Sequence, residues 1–180
     1  MAAIVQAAQK GRWRERFGAQ VAAVISNRAE AQGLAFAREH RIAAAALDHK
    51  AYGSREAFDA ALMVEIDRHE PALVVLAGFM RILTAGFVQH YEGRLVNIHP
   101  SLLPAFPGLH THRRAIEAGC KVAGCTVHRV TAELDHGEYL DQAVVPILPG
   151  DTAETLAARV LTQEHLIYPQ VVERLIASQG

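Results

Sequence analysis

The chain has 180 residues, with 18 Lys and Arg against 19 Asp and Glu, a formal net charge of −1, and 51% hydrophobic residues. That length suits one domain with a proper core, and the balanced charge offers no basic field to attract a nucleic acid or an anionic membrane. No apolar run approaches the ~20 residues that span a bilayer, residues 1–6 lack the basic start of a secretory signal, and two cysteines, Cys120 and Cys125, are too few for a disulfide framework. These features predict a soluble, cytoplasmic protein with a single domain over residues 1–180.

No internal repeat or low-complexity tract is visible. What recurs is alternation of strand and helix patterns. Residues 2–9 read as a helix closed by Gly11, and 20–25 as a short apolar strand. Residues 29–39 are helix-like and 42–47 apolar again. Ser54 caps a predicted helix over 55–68, with Phe58, Leu62 and Ile66 on one face at i, i+4, i+8. Residues 73–77 form a continuous apolar run closed by Gly78, the pattern of a strand buried on both faces. A strand over 94–98, a helix over 110–118 and strands over 124–130 and 142–147 follow. The last element is a long helix, capped by Asp151 or Thr152 and reaching about residue 176. This order predicts an α/β fold, a doubly wound and mostly parallel sheet with helices on both faces. The chain opens on a helix, however, and carries neither a G-x-G-x-x-G nor a P-loop pattern.

The chemistry concentrates in Asn97-Ile98-His99-Pro100-Ser101-Leu102-Leu103-Pro104 and the Pro- and Gly-rich stretch after it. Asn97 and His99 are i, i+2 at the carboxyl end of a strand, so their side chains project the same way, at the end of an open α/β sheet where ligands bind. An amide donor beside a histidine suits stabilisation of an oxyanion and movement of a proton. Glu133-Leu134-Asp135-His136-Gly137 offers a loop carboxylate able to orient or charge that imidazole. On spacing alone, a catalytic pair and a strand end bonded to its own loop are equal readings. His110 and His112 have an H-x-H spacing without the Cys or carboxylate partners of a metal site, so no metal is expected. His128 reads as a satisfied core histidine with a secondary polar role open to it. His40, His49, His69, His90 and His136 read as surface or structural, and both cysteines as reduced thiols.

The segment from Asn97 to Leu109, with Thr111, resembles the signature loop of the glycinamide ribonucleotide formyltransferases, within the folate-dependent formyltransferase superfamily. The resemblance extends through Ser54-Arg55-Glu56, residues 77–83, Val127-His128, Leu134-Asp135, Gln163-Glu164-His165 and Tyr168-Pro169. It implies transfer of the formyl group of 10-formyltetrahydrofolate to the amine of glycinamide ribonucleotide through a tetrahedral oxyanion, in purine synthesis. It makes His99 the catalytic histidine, Asn97 the donor to the formyl oxygen and Asp135 the carboxylate that holds the imidazole. It further implies folate contacts from Arg55, Met80, Arg81, Ile82, Leu83, Asn97, Thr131, Ala132, Glu133, Leu134 and Asp135, and ribonucleotide contacts from Gln163 and Glu164. The partners so implied are two small molecules, with no nucleic acid, membrane or metal.

The resemblance departs from the family at the front. There a first strand leads into a Gly-Ser-Asn phosphate loop, and the helix after it resembles residues 1–9 here. A strand and turn of about a dozen residues are therefore expected to be absent from the middle of the sheet, through a misplaced start or a truncation. Glu138-Tyr139 also replaces the family's Pro and β-branched pair after Gly137. The alternatives carried are a non-catalytic or impaired folate-binding form, and a formyltetrahydrofolate hydrolase or methionyl-tRNA formyltransferase relative. The last two normally carry a further domain, for which 180 residues leave no space.

Overall fold

The computed structural model describes residues 1–178. Two helices come first, α1 (Ala2–Lys10) and α2 (Trp13–Phe17), followed by β1 (Ala23–Ser26), α3 (Gln32–Glu39) and β2 (Ala43–Ala46). After a 3₁₀ turn at His49–Ala51 come α4 (Arg55–Asp67), β3 (Val74–Leu76), α5 (Ala85–His90) and β4 (Leu95–His99). The chain continues as α6 (Thr111–Glu117), β5 (Val122–Arg129), β6 (Tyr139–Pro146) and the long α7 (Ala153–Ala177). The helix caps follow side-chain chemistry. Ser54 accepts the Ala57 N–H at the start of α4, and Thr152, with Thr155, forms a capping box on α7. Asp151 instead accepts the Leu148 N–H and pairs with Arg159 at 2.6 Å, so Thr152 is the cap of the two expected.

The strands make two sheets, β1–β2 and β3–β4–β5–β6. The pairs β1–β2 and β3–β4 are parallel, but β4–β5 and β5–β6 are antiparallel. The α/β class is as expected, whereas the mostly parallel sheet is corrected to a mixed one. The cause lies in residues 100–121. They fold back at the carboxyl edge of β4 instead of crossing the sheet, so β5 runs back along β4 with Thr126 beside His99, where β4 stops.

Helices cover both faces of the larger sheet. On one face Ile4, Trp13, Tyr168, Val171 and Val172 pack on Val96 and Val127. Leu156 and Val160, earlier in α7, extend that layer over Ala123, Cys125, Ala143 and Val145. On the other face Phe58, Leu62, Phe87, Val88 and Tyr91 enclose Val74 and Leu95. Burying each large apolar side chain favours the fold by about 1.5–3 kcal/mol. Two polar contacts fix the layers. The Tyr168 hydroxyl lies 2.7 Å from the Leu76 carbonyl oxygen and 3.0 Å from that of Val96, and buried Asp59 accepts the Thr84 N–H at 2.7 Å. Among the described residues, no helix is long and apolar enough to cross a membrane.

Candidate functional site

β3 and β4 run parallel, with Leu76 beside Asn97, so residues 77–83 and 100–108 leave the sheet at the same edge. Along β4, Val96 points into the α7 layer and Leu95 into the α4–α5 layer. Asn97 and His99 alternate with Val96 and therefore share the face of Leu95. Their antiparallel partners on β5, His128 and Thr126, present side chains on that same face.

His99, 6% exposed, is enclosed by two loops. Its Nδ1 lies 3.4 Å from Asp135 Oδ1. Its Nε2 lies 3.0 Å from the Phe106 carbonyl oxygen, which can only accept. Each ring nitrogen thus faces an oxygen, so a proton on either one has an acceptor. Asp135 adopts a left-handed backbone, φ 51°, which Asp tolerates better than most residues. Its second oxygen, Oδ2, accepts the Gly108 N–H at 2.7 Å. Gly108 itself has φ 77°, a conformation that suits glycine. One carboxylate therefore ties the imidazole to the turn that follows it.

Asn97 is oriented separately. The Nδ1–H of His128 donates to the Arg129 carbonyl at 2.9 Å, leaving Nε2 as the acceptor for Asn97 Nδ2 at 3.3 Å. One amide hydrogen of Asn97 is used in this contact, and the other has no partner among the described residues. Burial pushes the His128 imidazole below the usual histidine range and so favours the accepting, neutral ring. His112, on α6, is also lowered, first by burial and then by the neighbouring charge of His99, and its Nε2 is buried without a hydrogen-bond partner.

The expected folate residues form two groups. Phe79, Leu83 and Val130 all pack on the Phe58–Phe87–Tyr91 cluster, which brings residues 79–83 and the 131–137 loop to one side of the molecule. Arg81 lies over the Phe58 ring, 5.2 Å from its centroid. Met80, Ile82 and Leu134 present exposed apolar surface there, 80%, 59% and 57% respectively. Thr131 fixes its loop through the His136 carbonyl at 2.9 Å, and Ala132 and Glu133 are exposed beside it. Arg55 stands apart. Its nearest charged neighbour is Glu56 at 3.9 Å, and no contact joins it to His99.

Gln163 and Glu164 are half-buried on α7, which covers the face opposite to Asn97 and His99. Glu164 is not a solvated helix face: burial raises its carboxyl, and the N-terminal ammonium of Met1 opposes that shift. It is also close enough to push the Cys125 thiol, already raised by burial, up to about 12. Both cysteines are free. Among the described residues, no group of three or more His, Cys, Asp or Glu side chains is placed to hold a metal ion.

Several members of the site escape the sequence patterns: the Phe106 carbonyl, the Gly108 N–H, and the side chains of Thr126 and Gln142. The first two are backbone groups, invisible in residue identity. Thr126 carried one signal, its position two residues before His128 on a strand already assigned to the site.

An Asn–His pair at a strand end, a carboxylate on the imidazole and an apolar rim beside them define a site for acyl-group chemistry. Residues 1–172 match the formyl transferase family, and the chain belongs to it. It is 57% identical over 152 residues to the phosphoribosylglycinamide formyltransferase of Escherichia coli, covering 84% of this chain and 72% of that protein. It is 46% identical over 160 residues to the trifunctional purine biosynthetic protein adenosine-3 of Gallus gallus, covering 89% of this chain and 16% of that much longer protein. Among solved structures, the phosphoribosylglycinamide formyltransferase of Brucella melitensis superimposes with a TM-score of 0.88 at 51% identity, covering 97% of this chain and 88% of that one. The glycinamide ribonucleotide transformylase 1 of Symbiobacterium toebii gives 0.90 at 47% identity, covering 98% and 83%.

Proposed function

We infer that the chain is a transferase of purine biosynthesis that formylates glycinamide ribonucleotide. The observation that carries the mechanism is the arrangement at the carboxyl end of β4, where Asp135 holds the His99 imidazole and His128 orients Asn97 two residues before it. In the reaction a C–N bond forms to the acceptor amine, the C–N bond to the donor breaks, and one proton passes between the two nitrogens. 10-Formyltetrahydrofolate supplies the formyl carbon. The residues present fit that donor: Met80, Ile82 and Leu134 give apolar area for a flat heteroaromatic ring, and the adjoining 131–135 loop gives backbone polar groups.

His99 offers a proton at Nε2, now held by the Phe106 carbonyl, to the formyl oxygen as negative charge develops there. Asp135 keeps the ring oriented and stabilises its positive charge. The free amide hydrogen of Asn97, set by His128, is the second donor to that oxygen. We assign Met80 to Leu83 and Thr131 to Asp135 to donor binding, with Arg55 reaching the donor from the start of α4. Gln163 and Glu164 are assigned to the ribonucleotide. The reaction needs neither nucleic acid nor membrane, and we place it in the cytoplasm.

The test is stoichiometry. Purified protein with 10-formyltetrahydrofolate and glycinamide ribonucleotide should yield formylated acceptor and tetrahydrofolate one for one. Consumption of the donor at the same rate without acceptor would identify a hydrolase and overturn the reading.

A further inference from the structure

Thr126 is fully buried, 0% exposed, and stands opposite His99 in the antiparallel ladder. It makes no hydrogen bond to the imidazole. Its hydroxyl proton and one lone pair go instead to the segment that leaves His99. Its hydroxyl donates to the Ser101 carbonyl at 2.7 Å and accepts the Leu103 N–H at 3.0 Å. The remaining lone pair accepts Nε2 of Gln142 at 2.9 Å, which completes the capacity of a hydroxyl. Gln142, beside Thr126 on β6, uses its other amide hydrogen on the Leu103 carbonyl, also at 2.9 Å. Both the N–H and the C=O of Leu103 are therefore gripped by side chains of two neighbouring strands. Ser101 adds a third tie, donating to the Ala105 carbonyl at 2.6 Å.

The chain that these contacts hold is short and its far end returns to the site. Phe106 supplies the carbonyl on His99 Nε2, and Gly108 supplies the N–H on Asp135. We propose that Thr126 and Gln142 are positioning residues for formyl transfer, a side-chain lock that fixes residues 101–103 and through them the placement of His99 against Asp135. The proposal rests on the reading of His99 as the catalytic group. A reacting group must be held to within a fraction of an ångström, and a displacement of about 1 Å costs on the order of 10²-fold in rate. The lock touches neither substrate pocket, so its loss acts on turnover and not on binding.

The experiment compares four variants of the full chain, Thr126→Val, Thr126→Ser, Gln142→Met and His99→Ala, in steady-state kinetics with each substrate varied. Val matches Thr in shape and removes the hydroxyl, while Ser restores it. Thr126→Val should lower kcat by about 10- to 100-fold and Gln142→Met by about 3- to 10-fold, with both KM values within about twofold of the parent. Thr126→Ser should return to within about threefold of the parent rate. Gln142 is on the exposed side of β6, so its variant reports even if the buried Thr126→Val protein does not fold. The proposal is overturned if the variants that fold keep kcat within about twofold, if the loss falls in KM, or if Ser fails to restore what Val removes. Full activity in His99→Ala would instead overturn the catalytic reading itself, so the two failures are told apart.

Discussion

Asp135 reaches His99 and Gly108 with separate oxygens, Oδ1 at 3.4 Å from the imidazole Nδ1 and Oδ2 at 2.7 Å from the backbone N–H. The carboxylate thus acts on the ring's charge and on the loop that encloses it. Asp135→Asn keeps the size of the group and removes the charge, so kcat should fall by roughly 10²-fold or more while donor binding changes little. Steady-state kinetics with a donor-analogue titration check both halves. An unchanged kcat would remove Asp135 from the mechanism.

The apolar rim separates binding from folding. Met80 and Ile82 are 80% and 59% exposed, so truncating them leaves the core intact. Each Ala variant should lose about 1–2 kcal/mol of donor binding, roughly 5- to 30-fold in Kd, with a Tm within a degree or two of the parent. Leu83 packs on the core cluster, and its Ala variant should lose stability as well. Calorimetric titration with a folate analogue, beside thermal unfolding, distinguishes the two kinds of residue. A purely kcat effect in Met80→Ala would contradict the pocket assignment.

At Gly124 the signature loop lies close against the sheet. A Cβ there would run into the Ala143 carbonyl and stand 2.7 Å from Leu102 Cδ2. Gly124→Ala should cost about 1–3 kcal/mol, the usual range for overpacking, and dislodge the loop that carries Phe106. Urea unfolding measures the first effect and turnover the second. A variant as stable as the parent would show that β5 and β6 yield more readily than their ladder implies.

His112 and His128 link acid to unfolding. Both are lowered by burial in the folded chain and return to about 6.5 when unfolded. Below that pH the unfolded chain binds protons that the folded chain resists, so stability falls as pH falls through the window beneath about 6.5. Urea midpoints at pH 7.5 and 5.5 should show the drop, and His112→Gln together with His128→Gln should reduce it. An equal drop in the double variant would place the acid sensitivity elsewhere.

Much of this was legible in the residues, and the misses have physical reasons. Apolar runs and Ser54 or Thr152 caps locate most elements to within a few residues, because those signals are local. The six-residue α5 was not anticipated, since only Thr84 marks its start and Gly86 sits inside it. The five-residue α2 begins after Arg12 in a left-handed conformation, and no side-chain hydrogen bond caps it. Antiparallel β5 could not be read from its composition, because strand direction depends on where residues 100–121 bring the chain back. Asn97 and His99 were legible because an i, i+2 spacing at a strand end fixes a shared face. Asp135 is a different case: its tie to His99 spans 36 positions, and the residues offered only a carboxylate somewhere in the 133–137 loop, from which the family resemblance singled out Asp135. His128 proved to be more than a core histidine, since its lone pair orients Asn97.

The central claim is that His99 carries formyl transfer. The most direct measurement is the kcat for formylation of glycinamide ribonucleotide by His99→Ala, alongside its affinity for a folate analogue. The account predicts a fall of about 10³-fold or more in kcat with analogue affinity within a few-fold of the parent. A His99→Ala protein that turns over at a near-parental rate would contradict it.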